Sequence, residues 1–308
     1  MVDRIAVLGS FVADLAFRAA RLPVVGETLE GTGFKVGPGG KGSNQAVAAA
    51  RVGGRVTMIS KLGRDEFGRL ALDTWAKEGI VAAVGETDDA PTGAAFIYVD
   101  HRTGDNAIIV VPGAAGTISV ADVEAAGAHI AGADVFVTQL EEPIAAARRG
   151  LELARAAGVI TVFNPAPAPA APLPTDLYPL CDYVTPNETE AAQLTGIAVS
   201  TPDDAKHAAA ILRGFGARNA IITLGEKGVL LVTAAETTLV PAFDAGPVVE
   251  TAGAGDAFNG GLAVALSRGW PPAEAVRFAC AVAAISVTRP GTAPSMPTGA
   301  EVERLLSR

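Results

Sequence analysis

The sequence predicts an α/β fold with a mostly parallel central β-sheet and a second, smaller β-sheet. Beyond residue 120, short apolar runs typical of strands alternate with longer segments typical of helices. Strands that alternate with helices form a parallel sheet whose two faces are covered by those helices. Two segments, at about 11–40 and 92–111, interrupt the alternation with glycines and short apolar stretches. We expect them to join each other in a separate small sheet.

The first third of the chain predicts two helices among buried strands. An apolar run at 5–8 ends at Gly9 and indicates a strand that leads into a loop. Small and polar residues at 42–45 open an alanine-rich helix that continues to residue 52, and an amphipathic helix at 65–79 ends at its own glycine. The other predicted strands here are 56–60, and 94–99 with 107–111 as a hairpin joined by a polar turn at 100–106.

The rest of the chain alternates regularly. The predicted strands are 134–140, 159–163, 182–185, 219–224 and 228–233. The predicted helices are 121–131, 143–157, 188–195, 203–216, 256–268, 272–287 and 299–307. A stretch rich in proline and alanine at 164–174 is compatible with a linker, but the alternation continues on both sides of it, so we predict a fixed loop at a strand end. Ligands of such sheets bind beyond the carboxyl ends of the strands.

Composition and charge exclude several classes of protein. The 308 residues are 49% hydrophobic and 19% charged, which indicates a globular chain with ample core. The net charge of −9 argues against a nucleic-acid or anionic-membrane partner. It does not argue against a nucleotide, because phosphates are held by local N–H groups, a few cations and Mg²⁺.

The cysteines and the start of the chain indicate a cytoplasmic protein. Cys181 and Cys280 lie far apart in the sequence, which argues against a disulfide scaffold or a zinc site. Residues 1–4 lead directly into a strand-like run, without the layout of a signal peptide. No apolar stretch approaches the ~18 residues of a membrane span. We therefore expect a cytoplasmic location.

A run of small residues before the predicted helix at 256–268 is the strongest candidate for chemistry. Residues 250–258 read Glu-Thr-Ala-Gly-Ala-Gly-Asp-Ala-Phe. Glycines let the backbone approach a ligand, and the unpaired N–H groups of a helix start form a cradle for an anion such as phosphate. Asp256 lies at the mouth of this cradle, where its carboxylate could take a proton from an attacking hydroxyl. The alternative is that Asp256 only caps the helix.

A second glycine-rich run, at 37–42, matches the G-x-G-x-x-G pattern of dinucleotide-binding proteins. The match is weak because the pattern should follow the first strand directly, with an acidic residue about 20 positions later. It also differs from a phosphate-binding Walker loop, since Gly42 follows Lys41. Backbone N–H groups together with Lys41 and Asn44 are suited to a small polyol, so we favour ligand binding over a plain glycine turn.

Further polar residues follow predicted strands or lie in apolar surroundings. Asp14 lies in an apolar run and should reach solvent or accept hydrogen bonds from a ligand. Glu141 and Glu142 follow a strand, and one of them can point into a cleft while the other is solvated. The segment 187–190 has the pattern of a helix start with a capping box. Alternatively, its amide and carboxylate side chains bind phosphates and Mg²⁺. The segment 223–228 reads as a glycine turn between strands, whose edges could also cover a nucleotide.

Taken together, these stretches resemble the PfkB family of sugar kinases, and within it the kinases of ribose, over essentially the whole chain. Residues 39–46 resemble the N-terminal signature of that family, 251–258 its C-terminal signature, and 185–190 its Asn-x-x-Glu element. The resemblance implies one domain over 1–308, an α/β/α sandwich with a small β lid at about 11–40 and 92–111, and a homodimer formed through that lid. It also implies transfer of the γ-phosphate of ATP to the 5-hydroxyl of ribose.

The resemblance implies a role for individual residues, with ATP, Mg²⁺ and K⁺ as cofactors. Asp256 would be the general base, and the N–H groups of Gly253, Ala254 and Gly255 would form an anion hole. The sugar would be held by Asp14, Gly40, Lys41, Asn44, Glu141 and Asp256. ATP and Mg²⁺ would be served by Asn187, Glu190, Thr223, Gly225, Gly228, Gly255 and Cys280. The K⁺ positions, several of them acting through backbone carbonyls, would be Glu250, Ala252, Ser286, Arg289, Gly291 and Ser295.

Two departures from the family pattern leave alternatives open. Val12 stands where these kinases usually place an asparagine that hydrogen-bonds the sugar, and Glu250 replaces the usual aspartate of the cation site. An apolar Val12 leaves a sugar hydroxyl unpaired or fits a sugar without that hydroxyl. The alternatives are thus a kinase of deoxyribose, of a keto-sugar acid or of a nucleoside. More distant ones are an NAD-dependent oxidoreductase and a sugar-binding protein without catalytic activity.

Overall fold

A computed structural model describes residues 3–102, 106–169 and 171–308. The centre of the turn predicted at 100–106 lies outside these ranges, as do the first two residues of the start that we compared with a signal peptide. The strands, in chain order, are β1 Arg4–Leu8, β2 Val12–Ala19, β3 Gly33–Gly39, β4 Arg55–Gly63, β5 Val81–Thr87, β6 Thr92–Asp100, β7 Asn106–Gly113, β8 Val135–Thr138, β9 Ile160–Phe163, β10 Tyr183–Val184, β11 Asn219–Thr223, β12 Val229–Val232 and β13 Thr237–Val240.

The large sheet is mostly parallel, as the sequence predicts. Its order is β13-β12-β11-β10-β9-β8-β1-β4-β5, and only the β11–β12 and β12–β13 pairs are antiparallel. The helices are α1 Lys41–Arg51, α2 Glu66–Lys77, α3 Val120–Ala125, α4 Gly127–Ala131, α5 Ile144–Ala156, α6 Glu188–Thr195, α7 Pro202–Gly214, α8 Ala254–Ser267, α9 Pro272–Ser286 and α10 Gly299–Leu306. Within the described ranges, no helix is long and apolar enough to cross a membrane.

Two apolar cores lie on opposite faces of this sheet. Along β1, Ile5 and Val7 belong to the core with α1, α2, α8, α9 and α10, whereas Ala6 and Leu8 belong to the core with α3 to α7. Successive side chains of a strand point to opposite faces, so one short apolar strand supplies both cores. The predicted sandwich of helices, sheet and helices is confirmed.

The small sheet consists of β2, β3, β6 and β7, as expected from the two interruptions of the sequence pattern. Its order is β3-β2-β6-β7, with β2 parallel to β6 and both outer pairs antiparallel. Large apolar side chains remain exposed on it, including Phe34 at 60% and Ile109 at 66%. This sheet therefore presents apolar surface that the described chain does not itself cover.

Some predicted elements differ from the structure. The helix predicted at 121–131 is two helices, α3 and α4, that meet at Ala126, where Gly127 weakens the helix. The strand predicted at 134–140 ends at Thr138, because the Glu142 side chain takes the N–H of Gln139 at 3.2 Å. Two largely exposed edge strands, β5 and β13, were not predicted: the apolar run of β5 is short and half of it is alanine, and β13 begins with two threonines.

Candidate active site

The predicted site residues gather where the strands of the large sheet end and α1 and α8 begin. Gly9, which follows β1, and Gly42, in α1, touch closely: a Cβ on Gly42 would lie 2.7 Å from the Cα of Gly9. A Cβ on Gly9 would lie 2.2 Å from Oε1 of Gln139, which follows β8. Only glycines therefore let the start of α1 pack directly on the ends of β1 and β8.

Asp256 lies in the first turn of α8 and faces α1. Its Oδ2 accepts a hydrogen bond of 3.0 Å from Nδ2 of Asn44, and its Oδ1 accepts one of 3.0 Å from Nε2 of Gln45. The helix cap is Gly253, in the left-handed region at φ 79°, and no side chain caps this helix. The interpretation of Asp256 as a helix cap is therefore wrong, and its carboxylate is free for another role.

The turn before Asp256 presents backbone N–H groups. The first N–H groups of a helix have no partner within it, so those of Gly253 and Gly255 suit an anion. The Ala254 N–H is already used in part, since it donates to the Thr251 carbonyl at 3.2 Å. A Cβ on Gly255 would meet nothing within 4 Å, which shows open space in front of the turn. The role of this turn as an anion hole stays a prediction.

The electrostatics of the site centre on Lys41. Burial lowers the pKa of Lys41, but the carboxylates of Asp256, Glu141 and Glu190 outweigh burial and hold it above its usual value. Burial raises the pKa of Asp256, against the opposing effects of Lys41 and of its two amide partners. Lys41 is therefore firmly charged, and its charge favours the ionised form of Asp256 against the effect of burial.

The residues predicted to hold a sugar lie together on one side of Asp256. Oε2 of Glu141 accepts hydrogen bonds from the Lys41 N–H at 2.8 Å and from the Ser10 hydroxyl. Asp14 on β2 accepts a bond of 3.3 Å from the Thr292 hydroxyl. Burial raises the pKa of Asp14 to about 6, opposed by the bond from Thr292 and helped by Glu141, Glu250 and Asp256.

Close packing and an unpaired acceptor distinguish this side of the site. Gly40 has a φ of 86°, and a Cβ there would lie 2.7 Å from the Val12 nitrogen, so only glycine fits between β2 and α1. Oδ1 of Asn44 is buried and has no hydrogen-bond partner among the described residues. An unpaired buried acceptor is costly, and a ligand hydroxyl would satisfy it.

The choice between the two adjacent glutamates, which the sequence left open, is settled by their partners. Glu141 faces Lys41 and Ser10, in the cleft. Glu142 is buried: its Oε1 accepts bonds from the Thr138 hydroxyl at 2.6 Å and from the Gln139 N–H at 3.2 Å. The expectation that the second glutamate is solvated is wrong, and burial raises its pKa to about 7.

The segment predicted to serve ATP and Mg²⁺ forms a complete capping box at the start of α6. Asn187 Oδ1 accepts from the Glu190 N–H at 2.8 Å, and Glu190 Oε2 accepts from the Asn187 N–H at 2.9 Å. This confirms the structural interpretation of that segment. Glu190 also lies near enough to Lys41 to raise the pKa of that lysine. A second role of Glu190 in metal binding stays a prediction.

The other predicted nucleotide residues lie close to this segment or in the core beside it. Thr223 forms a bridge with Asn187, and Gly225 and Gly228 flank the turn between β11 and β12 with φ of 55° and 96°. A Cβ on Gly228 would lie 2.1 Å from the Val240 carbonyl oxygen, so this turn requires glycine. Cys280 on α9 is 5% exposed within the core, and burial raises its thiol pKa to about 12. A position near adenine stays a prediction.

The segments predicted to bind K⁺ are adjacent in the structure. Glu250 Oε2 accepts from the Gly291 N–H at 2.8 Å, and the Val287 carbonyl accepts from the Glu250 N–H at 3.2 Å. The hydroxyls of Ser286 and Ser295 donate to backbone carbonyls of their own turns. Ala252 lies on the same segment as Glu250, and Arg289, on the opposite one, pairs with Glu301 at 2.5 Å. The role of these segments in binding K⁺ stays a prediction.

The described residues contain no group of three or more His, Cys, Asp or Glu side chains arranged to hold a metal ion. A hydrated Mg²⁺ is usually held by one or two carboxylates together with substrate phosphates, so the chemistry of Glu190 fits it. Four further polar residues at the site were not predicted from the sequence. Gln45, Asn164, Thr185 and Asn259 are buried polar side chains. Gln45 lies within the N-terminal signature, Asn164 and Thr185 follow strand ends, and Asn259 directly follows the C-terminal signature; this placement is the signal that could have found them.

The chain is similar to known carbohydrate kinases along its whole length. A family model described as pfkB family carbohydrate kinase matches residues 2–299. The chain is 39% identical over 307 residues to a ribokinase of Haemophilus influenzae, covering 99% of each chain. It is 37% identical over 304 residues to a deoxyribokinase of Salmonella typhi, covering 98% of each. A structure of Arabidopsis thaliana ribokinase complexed with ribose and ATP matches all of both chains with a TM-score of 0.92 at 31% identity.

Proposed function

Since the chain belongs to the PfkB family of carbohydrate kinases, we propose that it transfers the γ-phosphate of ATP to the 5-hydroxyl of D-ribose. The observation that carries this proposal is the position of Asp256 between the turn at 253–255 and the residues predicted to hold the sugar. Relatives named ribokinase, such as that of Haemophilus influenzae, support ribose as the acceptor. The family match overturns the NAD-dependent alternative, as the glycine run at 37–42 lies in β3 and the start of α1.

The proposed reaction depends on positioning and charge. Asp256 orients the sugar hydroxyl and takes its proton as the hydroxyl oxygen attacks the γ-phosphorus of ATP. The N–H groups of Gly253 and Gly255 face the charge that develops on the transferred phosphoryl group, and such donors typically contribute several kcal/mol. Lys41 opposes the effect of burial on the pKa of Asp256 and adds positive charge beside the reacting groups.

The proposed cofactors are ATP, Mg²⁺ and K⁺. Mg²⁺ would neutralise the phosphates, with Asn187 and Glu190 near it, while Thr223, Gly225, Gly228 and Cys280 would border the nucleotide. K⁺ would lie in the loop that Glu250 joins to Gly291, where its charge supports the anion hole. Glu250 already uses one carboxylate oxygen on the Gly291 N–H, so carbonyl oxygens of the same loop would supply most of the ligands.

A deoxy-sugar is the second candidate substrate, and Val12 favours it. Val12 is 3% exposed and pairs with Gly39 on β3, beside the Gly40 turn. Its side chain offers no hydrogen-bonding atom where the ribose kinases usually have an asparagine. Sites that hydrogen-bond a hydroxyl discriminate strongly against analogues without it, and an apolar site does not. The similarity to a deoxyribokinase of Salmonella typhi fits this candidate.

We propose that two chains associate through the small sheet, which would act as a lid over the sugar. On the edge strand β7, four consecutive apolar side chains are between 49% and 66% exposed: Ile108, Ile109, Val110 and Val111. Side chains on both faces of a strand are exposed together only when neither face is packed, and an apolar patch of this kind marks an interaction site.

An ATP-consumption assay over a panel of acceptors tests the proposal. Ribose, 2-deoxyribose, hexoses and nucleosides are compared at equal concentration, with Mg²⁺ and with K⁺ or Na⁺. Preferred turnover of ribose supports the first candidate, and preferred turnover of 2-deoxyribose replaces it with the second. Turnover of none of these acceptors contradicts both.

A further inference from the structure

A connected series of buried amide side chains lies directly behind Asp256. Nε2 of Gln45 donates both to Oδ1 of Asp256 at 3.0 Å and to Oδ1 of Asn164 at 3.1 Å. Oε1 of Gln45 in turn accepts from Nε2 of Gln139 at 2.8 Å. Gln45 is only 1% exposed and Gln139 is fully buried. Both ends of the Gln45 amide are thus fixed by the protein.

The series continues to the turn predicted to bind phosphate. Nδ2 of Asn164 donates to the Thr185 carbonyl at 3.0 Å, and the Thr185 hydroxyl donates to Oδ1 of Asn259 at 2.7 Å. Nδ2 of Asn259 donates to the Gly255 carbonyl at 2.8 Å. The same hydrogen-bonded series therefore holds the Asp256 carboxylate and the first turn of α8.

We propose that Gln45 is a positioning residue for phosphoryl transfer: it fixes the orientation of the Asp256 carboxylate relative to the turn at 253–255. This inference rests on the proposed function, because it assigns Asp256 the role of general base. Asn44 holds one carboxylate oxygen and Gln45 the other, which leaves little freedom for rotation about the Cβ–Cγ bond. Misplacement by about 1 Å in a phosphoryl-transfer site can reduce the rate about 100-fold.

Gln45 also affects the charge of the base. A hydrogen bond donated to a carboxylate favours its ionised form, most strongly when the group is buried. The charged groups that act on Asp256 are Lys41, Asp14, Glu141 and Glu190, and none of them changes when Gln45 is replaced. A change in the pH dependence of turnover would therefore report the lost Gln45 bond.

Two variants test the inference, with kcat measured from pH 5 to 9 at saturating sugar and ATP. Gln45→Leu removes the donor; we expect kcat to fall about 10- to 100-fold while the KM of the sugar changes less than threefold. Gln45→Glu keeps the shape and the bond from Gln139 but puts a second carboxyl against Asp256. Two adjacent carboxyls share a proton, so the acid limb of the kcat profile should move up by at least about one pH unit.

Asn219→Leu is the matched control. Asn219 is also a buried amide, but its side chain donates to the Asp182 carbonyl at the start of β10 and β11, whereas the site lies where the strands end. We expect this variant to lose thermal stability without a change in the pH profile. A wild-type enzyme that phosphorylates no acceptor contradicts the proposed function. An active wild type combined with unchanged kcat and acid limb in Gln45→Glu overturns the role of Gln45, and Gln45→Glu decides the matter if Gln45→Leu does not fold.

Discussion

Replacement of Asp256 by asparagine should separate the stability of this protein from its activity. The variant Asp256→Asn keeps the shape of the side chain but cannot accept a proton. Of the two donors that now face the carboxylate, Gln45 Nε2 can still bond to the amide oxygen. Asn44 can turn its unpaired Oδ1 toward the new amide nitrogen, and its Nδ2 then faces the site, where a sugar hydroxyl can accept a hydrogen bond from it. The number of hydrogen bonds is therefore preserved.

The structure predicts opposite effects on turnover and stability. A general base contributes about 10²–10⁴-fold, so the loss in kcat corresponds to about 2.7–5.4 kcal/mol of activation free energy. Burial raises the pKa of Asp256, which means that the folded state holds its proton more tightly than the unfolded state. The free energy of unfolding thus falls as pH rises through the folded pKa, and the ionised side chain destabilises the protein above it. Asparagine carries no such penalty.

The assay combines initial rates of ATP consumption with sugar binding by calorimetry and thermal unfolding at pH 7.5. We expect sugar affinity within about threefold of the wild type, a melting temperature equal to or above that of the wild type, and turnover reduced by at least 100-fold. Retention of more than a tenth of the wild-type kcat would refute the assignment of the base. A large drop in melting temperature would refute the account of its burial.

Three further changes test other parts of the site. Burial raises the pKa of Asp14 to about 6, so the KM of the sugar should rise as pH falls from 7 to 5. The variant Asp14→Asn should remove this dependence of KM on pH. The same dependence in the variant and the wild type would contradict a contact between Asp14 and the sugar. Gly255→Ala places a methyl group in open space at the predicted anion hole. Folding should therefore be unaffected, while kcat/KM for ATP should fall at least tenfold. An unchanged kcat/KM for ATP would show that phosphate does not occupy this space. Ile109→Glu in the exposed strand β7 should halve the mass measured by sedimentation. Leu239→Glu, a control at an exposed position on β13, should leave the mass unchanged. The same mass for the wild type and both variants would contradict association through the small sheet.

The sequence predicted the layers of the fold because alternation of strands and helices depends on local pattern. It missed β5 because half of its short apolar run is alanine, which is uncommon in strands, and it missed β13 because an edge strand is held by its neighbour and its own residues need not be apolar. The glycine runs predicted the two helix starts at the site for a physical reason. At Gly42 and Gly253, close packing or a left-handed backbone requires the absence of a side chain.

Partners across the site could not be predicted, since they are distant in the chain. Glu141 meets Ser10 across 131 positions, and Gln45 meets Asp256 across 211. Local sequence does not distinguish Glu141 from Glu142, whereas the fold sends one to Lys41 and the other to Thr138. The capping box at the start of α6 can be predicted from sequence because its two residues are three positions apart. The position of this box near Lys41 cannot be predicted, because Lys41 is distant in the chain.

The charges of the site indicate how its two substrates differ in their requirements. The carboxylates of Asp14, Glu141, Glu190 and Asp256 all act on the same small region, and the last three also act on Lys41. A neutral polyol can bind these carboxylates directly, because each of its hydroxyls donates a hydrogen bond. A triphosphate brings more negative charge to a cleft that already carries an excess of it, so its approach requires cations that arrive with it or are held nearby. This excess of negative charge is thus a physical argument for the proposed use of Mg²⁺ and K⁺ with the donor.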